Sequence, residues 1–286
     1  MRILNVALIQ MCPKPFLRDE NLSLALKLAK DSLKKGVNLV VFHELFDSGY
    51  CVAPHDKDFA MDFAKPQKHA TFKTLSAFAK ENSVHIVACG IEKSGKKLYD
   101  TAYIIAPSGK CVGKHRKIYL WGDEKSRFSK GKKYEVFKLN FGDFSAKVGL
   151  QICYEIGFGV GANILALQGA EILIYPSAFG AARAYNWDLL SGARAVENGC
   201  FVLACNHSGV ESNALDSALS TQKDAEFAGD SRIISPQGTI IKKATKLNEA
   251  IIAQINLDEI YSQRKAIPYL KDFDTKLTKR SFGKLT

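Results

Sequence analysis

The stretch Lys147-Val148-Gly149-Leu150-Gln151-Ile152-Cys153-Tyr154-Glu155-Ile156-Gly157 decides how this chain folds. An apolar run of strand character stops at a cysteine, and glycines at 157, 159 and 161 then lead into a helix-like segment over 162–168. A strand passing quickly into a helix is the unit of an α/β sheet, and it sets Cys153 at the strand's carboxyl end, where such sheets present reactive groups. The backbone N–H groups that follow favour a thiolate there and can hold an oxyanion. Free cysteine is among the most buried residue types, so the position alone is more often that of an inert core thiol.

Working outward, segment 171–175 is a second buried apolar strand, closed by Pro176-Ser177, and 199–205 is a third, ending at Asn206 after a helix over 187–198. On the other side, residues 2–10 read as a strand and 19–35 as an amphipathic helix stopped by Gly36. Segment 37–42 is a continuous apolar strand that ends at His43-Glu44, and a helix over 68–82 leads to a strand over 84–90. Strands over 98–106 and 111–115 flank the turn residues Pro107-Ser-Gly-Lys110, and delivery of the chain to Arg116-Lys117 follows. Residues 121–138 read as a polar loop with Glu124 in it. A second hairpin, 227–234 with 239–243, precedes a last strand over 250–255. Helices alternate with strands while hairpins interrupt them, which predicts both parallel and antiparallel pairing in mixed sheets. No linker or composition shift divides the chain, so a single domain over 1–260 with a basic tail over 261–286 is expected.

Composition removes several functions. The seven cysteines are odd in number and form no C-x-x-C pair, and the six histidines lack ligand spacing, so neither a disulfide framework nor a metal is expected. There is no apolar run of about 18 residues, and the apolar part of residues 1–10 is too short for a signal peptide. A cytoplasmic protein without a membrane partner is the expectation. The net charge of +11 would suit nucleic acid, but the lysines are spread along the chain without interleaved stacking aromatics, which predicts a solvated basic surface and no nucleic-acid partner.

Four strands in this reading end in reactive or polar residues: Glu44, Cys153, Ser177 and Asn206. Carboxyl ends gather on one edge of an α/β sheet, so a pocket holding a carboxylate and a thiol is expected. In this light the chain resembles the nitrilase, or carbon–nitrogen hydrolase, superfamily. The matching pieces are His43-Glu-Leu-Phe-Asp-Ser-Gly-Tyr50, His115-Arg-Lys-Ile-Tyr-Leu120 with Glu124, and Gly149-Leu-Gln-Ile-Cys-Tyr-Glu155, with supporting segments at 167–171, 175–177, 193–198 and 227–233. They run in the family's order from about residue 3 to 272.

The resemblance implies a four-layer αββα sandwich, no cofactor, and a Glu-Lys-Cys triad carried by Glu44, Lys117 and Cys153. Chemistry agrees with each role. A cationic lysine lowers the thiol pKa and balances a growing oxyanion beside the Tyr154 N–H. A glutamate can take the thiol proton, deliver it to departing ammonia and then activate water. Glu124 matches a further glutamate of the family that orients substrate and Lys117. The pocket is expected to include Tyr50, Tyr154, Ser177 and Phe179, and Arg183 is either an exposed loop cation or a partner for a substrate carboxylate. The implied substrate is a small non-peptide amide or N-carbamoyl compound. A nitrile, attacked by the same triad, and a non-enzymatic nucleic-acid-binding role are the alternatives. A homodimer or an assembly of dimers, with the tail at the interface, is also implied. The chain departs from the family at Phe158-Gly-Val-Gly-Ala-Asn163, where Phe-Pro-Glu and a following Arg are usual, at Tyr119 in place of His, and at Gly192 in place of Arg.

Overall fold

The computed structural model describes residues 1–212 and 224–284. Its first half runs β1 (Ile3–Gln10), α1 (Arg18–Leu33), β2 (Leu39–Phe42), α2 (Ala70–Asn82), β3 (His85–Ser94), β4 (Lys97–Ile105) and β5 (Cys111–Arg116). A short helix α3 (Glu124–Arg127) then leads to β6 (Val136–Asn140), β7 (Ser145–Leu150), α4 (Gly159–Leu167), β8 (Ile172–Ser177), α5 (Ala184–Asn198) and β9 (Phe201–Asn206). The remainder is β10 (Ser208–Glu211), β11 (Ala225–Ala228), β12 (Arg232–Ile234), β13 (Ile240–Lys243), β14 (Glu249–Asn256), α6 (Asp258–Ala266), α7 (Tyr269–Asp272) and α8 (Thr275–Phe282).

Two six-stranded sheets have the orders β14-β1-β2-β3-β4-β5 and β13-β12-β9-β8-β7-β6. In each, three central strands are parallel (β1, β2, β3 and β7, β8, β9) and the flanking strands are antiparallel. The period-two alternation of a strand divides the first sheet's side chains between two cores. Leu4, Val6, Leu8, Leu39, Val41, Val87 and Ile104 face the second sheet. Their neighbours Ala7, Ile9, Val40, Phe42, Ile86 and Ile105 face Leu22, Ala25, Phe72 and Leu75 of α1 and α2. Helices α4 and α5 cover the second sheet, through Leu165, Trp187 and Ala195. The result is the layered αββα arrangement with mixed sheets. Among the described residues no helix is long and apolar enough to cross a membrane.

Several elements differ from expectation. The polar stretch 121–138 contains α3 and the start of the edge strand β6, which pairs along β7 with Val136, Phe137 and Leu139 supplying the apolar surface. The strand expected over 227–234 is broken. Gly229 and Asp230 take positive φ of 60° and 53°, so 225–228 pairs with β10 while 232–234 pairs with β9 and β13. Helix α4 starts at Gly159, earlier than expected. Helix α6 runs across the expected boundary at residue 260, burying Ile260 before it and Gln263 after it; the last two residues of the tail, and 213–223 of the expected domain, lie outside the described residues.

Candidate active site

The carboxyl ends of β2, β7 and β8 deliver Glu44, Cys153 and Ala178 to one place, and the end of β5 adds Lys117 from the first sheet's edge. Lys117 is fully buried, and its Nζ lies 2.5 Å from Glu44 Oε1, 2.7 Å from Glu124 Oε1 and 3.4 Å from Asp100 Oδ2. One buried ammonium thus sits at the convergence of three buried carboxylates, in the place a cation would take.

Three carboxylates facing one ammonium cannot all ionise cheaply in a dry site. Burial, opposed by Lys117 and reinforced by Asp100, pushes the Glu44 carboxyl up to about 8. Burial on its own would lower the Lys117 ammonium, but Glu124, Glu44, Cys153 and Asp100 hold it well above the usual lysine range. Lys117 is therefore charged, and protonated Glu44 exchanges with its ionised form near pH 8.

Cys153 is 6% exposed and has a positive φ of 47°, a left-handed conformation that costs a non-glycine residue about 1–2 kcal/mol. That geometry turns the chain out of β7 directly into the short turn Cys153–Gly157. Burial, then the charge of Glu44, raises the thiol well above its ordinary value, while Lys117 and the Ala178 N–H act in the opposite sense. The resting sulfur is a thiol that needs a base at hand. Ala178 N–H also donates to Glu44 Oε2 at 2.6 Å, so one peptide group lies between the glutamate and the sulfur.

Two buried acids hold the loops in register. Glu155 Oε2 accepts from Ile152 N–H at 2.7 Å and pairs with His115 Nε2 at 2.8 Å, while its Oε1 accepts from Ile118 N–H at 3.1 Å. The loop of Cys153 and the loop of Lys117 are thereby fastened to one carboxylate. Glu211 accepts from the N–H groups of Tyr50 and Cys51, both at 2.8 Å, and meets His207 Nε2 at 2.5 Å. The His207 ring lies 5.0 Å from that of His43, whose Nδ1 is 2.9 Å from the Glu44 carbonyl oxygen. Burial, with His207 adding to it, keeps His43 neutral.

A cavity of about 480 Å³ opens beside this cluster, lined by Tyr50, Trp121, Arg127, Ala178, Arg183 and Phe227 among others. Tyr50 O–H donates to Glu124 Oε1 at 2.6 Å, so cavity wall and carboxylate cluster are joined. The other residues expected in the pocket are not among those lining this cavity. Tyr154 packs behind Trp121, with ring centres 4.9 Å apart. Ser177 is buried and its hydroxyl donates to Tyr175 O at 3.2 Å, within its own strand. The Phe179 ring turns into the core against Trp187 at 5.4 Å, because its N–H is held by Asn206 Oδ1 at 2.7 Å. Strand-end position places the backbone of such residues near the site but leaves the side chain's direction open.

Arg183 faces the cavity with its guanidinium 4.4 Å from the centre of the Trp121 ring; Asp123, Asp224 and Glu226 line the same cavity, but no carboxylate among the described residues forms an ion pair with it. Arg127, by contrast, is bound to Asp56 at 2.8 Å. At the departures noted above, Tyr119 stacks on Phe158 at 3.7 Å, and Arg194 Nε donates to Ile156 O at 2.8 Å while its Nη1 pairs with Glu197. Arg194, from α5, thus anchors the turn after Cys153.

Asp100, Glu155 and Glu211 join the site in addition to the residues the sequence motifs point to. Asp100 had a visible signal, a charge in the interior of an apolar strand, and Glu155 lay inside the quoted cysteine motif. Glu211 and Trp121 had none, since a loop residue's long-range partners leave no local pattern.

The carbon–nitrogen hydrolase family model matches residues 5–265. An omega-amidase NIT2 from Mus musculus is 30% identical over 283 residues, covering 95% of each chain. A protein named nitrilase from Pyrococcus abyssi is 33% identical over 264 residues, covering 92% of this chain and 93% of that one. The crystal structure of a carbon–nitrogen hydrolase from Helicobacter pylori G27 superposes with a TM-score of 0.87 at 25% identity, over 98% of this chain and 99% of that one.

Proposed function

The chain belongs to the carbon–nitrogen hydrolase family, and from that premise we propose that it hydrolyses the terminal amide of a small carboxylated molecule, releasing ammonia through a thioester on Cys153. The observation that carries this reading is the buried Lys117 ammonium held 2.5 Å from Glu44 and 2.7 Å from Glu124 beside the Cys153 thiol.

Ionised Glu44 takes the Cys153 proton as sulfur attacks the amide carbon, and the C=O electron pair moves to oxygen. Lys117 and the Tyr154 N–H offset that negative charge. As the C–N bond breaks, nitrogen receives the proton from Glu44 and leaves as ammonia. Water then attacks the thioester, giving its proton to Glu44. The C–S bond breaks, the carboxylic acid departs, and sulfur recovers the proton. Glu124 orients Lys117 and, through Tyr50, the cavity wall. No cofactor has a part in this sequence.

Arg183 supports a carboxylated substrate, because a cation on the cavity wall with no ion-pair partner among the described residues can meet an anionic group far from the scissile bond, even though Asp123, Asp224 and Glu226 line the same cavity. Relatives named omega-amidase support the amide. A nitrile is a second reading, favoured by the relative named nitrilase; it requires the same attack and differs in how the first adduct collapses. N-carbamoyl compounds would pass through a carbamoyl adduct on the same sulfur. Ammonia release from matched ω-amido acids, simple aliphatic amides, N-carbamoyl amino acids and nitriles, with Cys153→Ala as control, tests the assignment. Turnover greatest on the ω-amido acids and absent in the variant is expected, while equal turnover of the uncharged amides would remove the carboxylate.

The reading extends to a cytoplasmic homodimer. Exposed Leu189 and Tyr185 on α5, and Leu277 and Phe282 on α8, supply the apolar surface for a partner, with the tail crossing to it. Sedimentation at micromolar concentration tests this, and a pure monomer would contradict it.

A further inference from the structure

The basic residues are less evenly spread than their sequence positions imply. Away from the carboxylate cluster, a cavity of about 570 Å³ lies between the two sheet edges, β5 and β6, and is lined by Lys97, Lys114, Arg116, Lys130, Lys132 and Lys133. Among the described residues, Glu135 is the one carboxylate in that lining, paired with Lys133 at 2.7 Å. Buried Glu92, behind the wall, holds Lys114 at 2.5 Å and Arg116 at 2.6 Å. Six cations therefore meet two carboxylates, an excess of four. Among the described residues, Lys97, Lys130 and Lys132 have no carboxylate within ion-pair distance.

This is a built recess rather than a scatter of surface lysines. The Arg116 guanidinium is fixed twice, by Glu92 and by the face of Tyr99 at 3.8 Å. The loop bearing Lys130 and Lys132 is pressed onto β5, since Gly131 N–H donates to Lys117 O at 2.8 Å and a Cβ at Gly131 would fall 2.0 Å from Arg116 O. Phe137 closes the floor against Gly113 in the same way. Successive side chains at the end of β5 diverge, Arg116 into this recess and Lys117 into the buried carboxylates. The recess is thus separate from the amide site but shares its backbone.

We propose that this recess binds an oligophosphate, either an inorganic chain or the phosphates of a nucleotide. A single carboxylate would leave most of the excess charge unanswered, whereas linked phosphates carry several charges spaced for separate lysines. Arginine supplies a planar fork for phosphate oxygens and lysines supply point charges. The volume lies within the range of about 300–1,000 Å³ usual for small-ligand sites.

Titration calorimetry on the full chain with inorganic tripolyphosphate and, separately, with ATP tests the site, using wild type and the doubly substituted Lys130→Glu, Lys132→Glu chain. Both positions are exposed and outside the amide chemistry, so the variant's ammonia release without added phosphate should match wild type and confirm its fold. Saturable binding near one per chain, weakened roughly tenfold or more in the variant, is the expected result. Tighter binding of ATP would add the Tyr99 and Phe137 wall to the contacts, and equal binding would assign recognition to the phosphate chain; both support the proposal. Absence of saturable binding at millimolar ligand, or binding indifferent to the substitutions, would overturn it and leave the lysines as guards against pairing of the sheet edges. Retention of a long oligonucleotide by a protein that binds neither short anion would overturn it in favour of an extended surface.

Discussion

The Asp100 carboxylate stands 3.4 Å from the Lys117 ammonium, a third acid in a cluster where the chemistry uses two. Its effect falls on Glu44, whose carboxyl it helps burial to raise to about 8. A general base must be ionised, so kcat/KM should rise with pH through about 8 as Glu44 loses its proton. Asp100→Asn removes the neighbouring negative charge, making Glu44 easier to ionise, and should move that limb to lower pH. The pH profile of kcat/KM checks this; an unmoved limb would assign it to another group.

Glu155 joins the loops of Cys153 and Lys117 through Ile152, His115 and Ile118. Glu155→Gln keeps the shape but replaces an acceptor-only carboxylate with an amide that cannot accept all three bonds. A loss of about 2–4 kcal/mol in stability is expected, together with a fall in kcat of roughly 10–100-fold as the nucleophile and lysine lose register. Urea unfolding and steady-state kinetics measure the two, and wild-type values for both would show that the bridge is incidental.

Arg183 has a selective consequence. Arg183→Ala should raise KM for an ω-amido acid by about 10–100-fold, since a charge-assisted contact contributes about 1.5–3 kcal/mol. Turnover of an uncharged amide of the same length should hardly change. Equal losses on both substrates would make Arg183 a structural support of Trp121 instead.

The aromatic wall gives a gentler test. Tyr50→Phe removes the O–H donated to Glu124 at 2.6 Å but keeps the ring against Phe227. Glu124 then turns more of its charge to Lys117, and activity should fall about tenfold or less with stability within about 1 kcal/mol of wild type. A fall as large as that of Cys153→Ala would place the phenol in the chemistry itself.

Local pattern carried much of this architecture. Buried parallel strands such as 171–175 declare themselves by continuous apolar runs, and Gly36 and Gly169 mark helix ends by their positive φ of 67° and 97°. Ordered motifs then located Glu44, Lys117, Glu124 and Cys153, which the fold brings into one buried cluster. What remained hidden depends on contacts between distant segments. The break at Gly229-Asp230 follows from β11 and β12 having different partners, and no residue preference announces that. Likewise the direction of the Phe179 ring depends on a distant contact: the Asn206 side chain, 27 residues on, holds its N–H, and the ring packs against Trp187. The basic recess leaves no local pattern for the same reason, because its cations come from two strands, β4 and β5, and a loop.

The central claim is a covalent intermediate on Cys153, and rapid-quench mass spectrometry of wild-type enzyme turning over an ω-amido acid tests it most directly. A mass increase equal to the acyl group, mapped to the peptide bearing Cys153 and absent from Cys153→Ala, is the predicted result. Acylation of another residue, or steady ammonia release by the Cys153→Ala chain, would contradict the account.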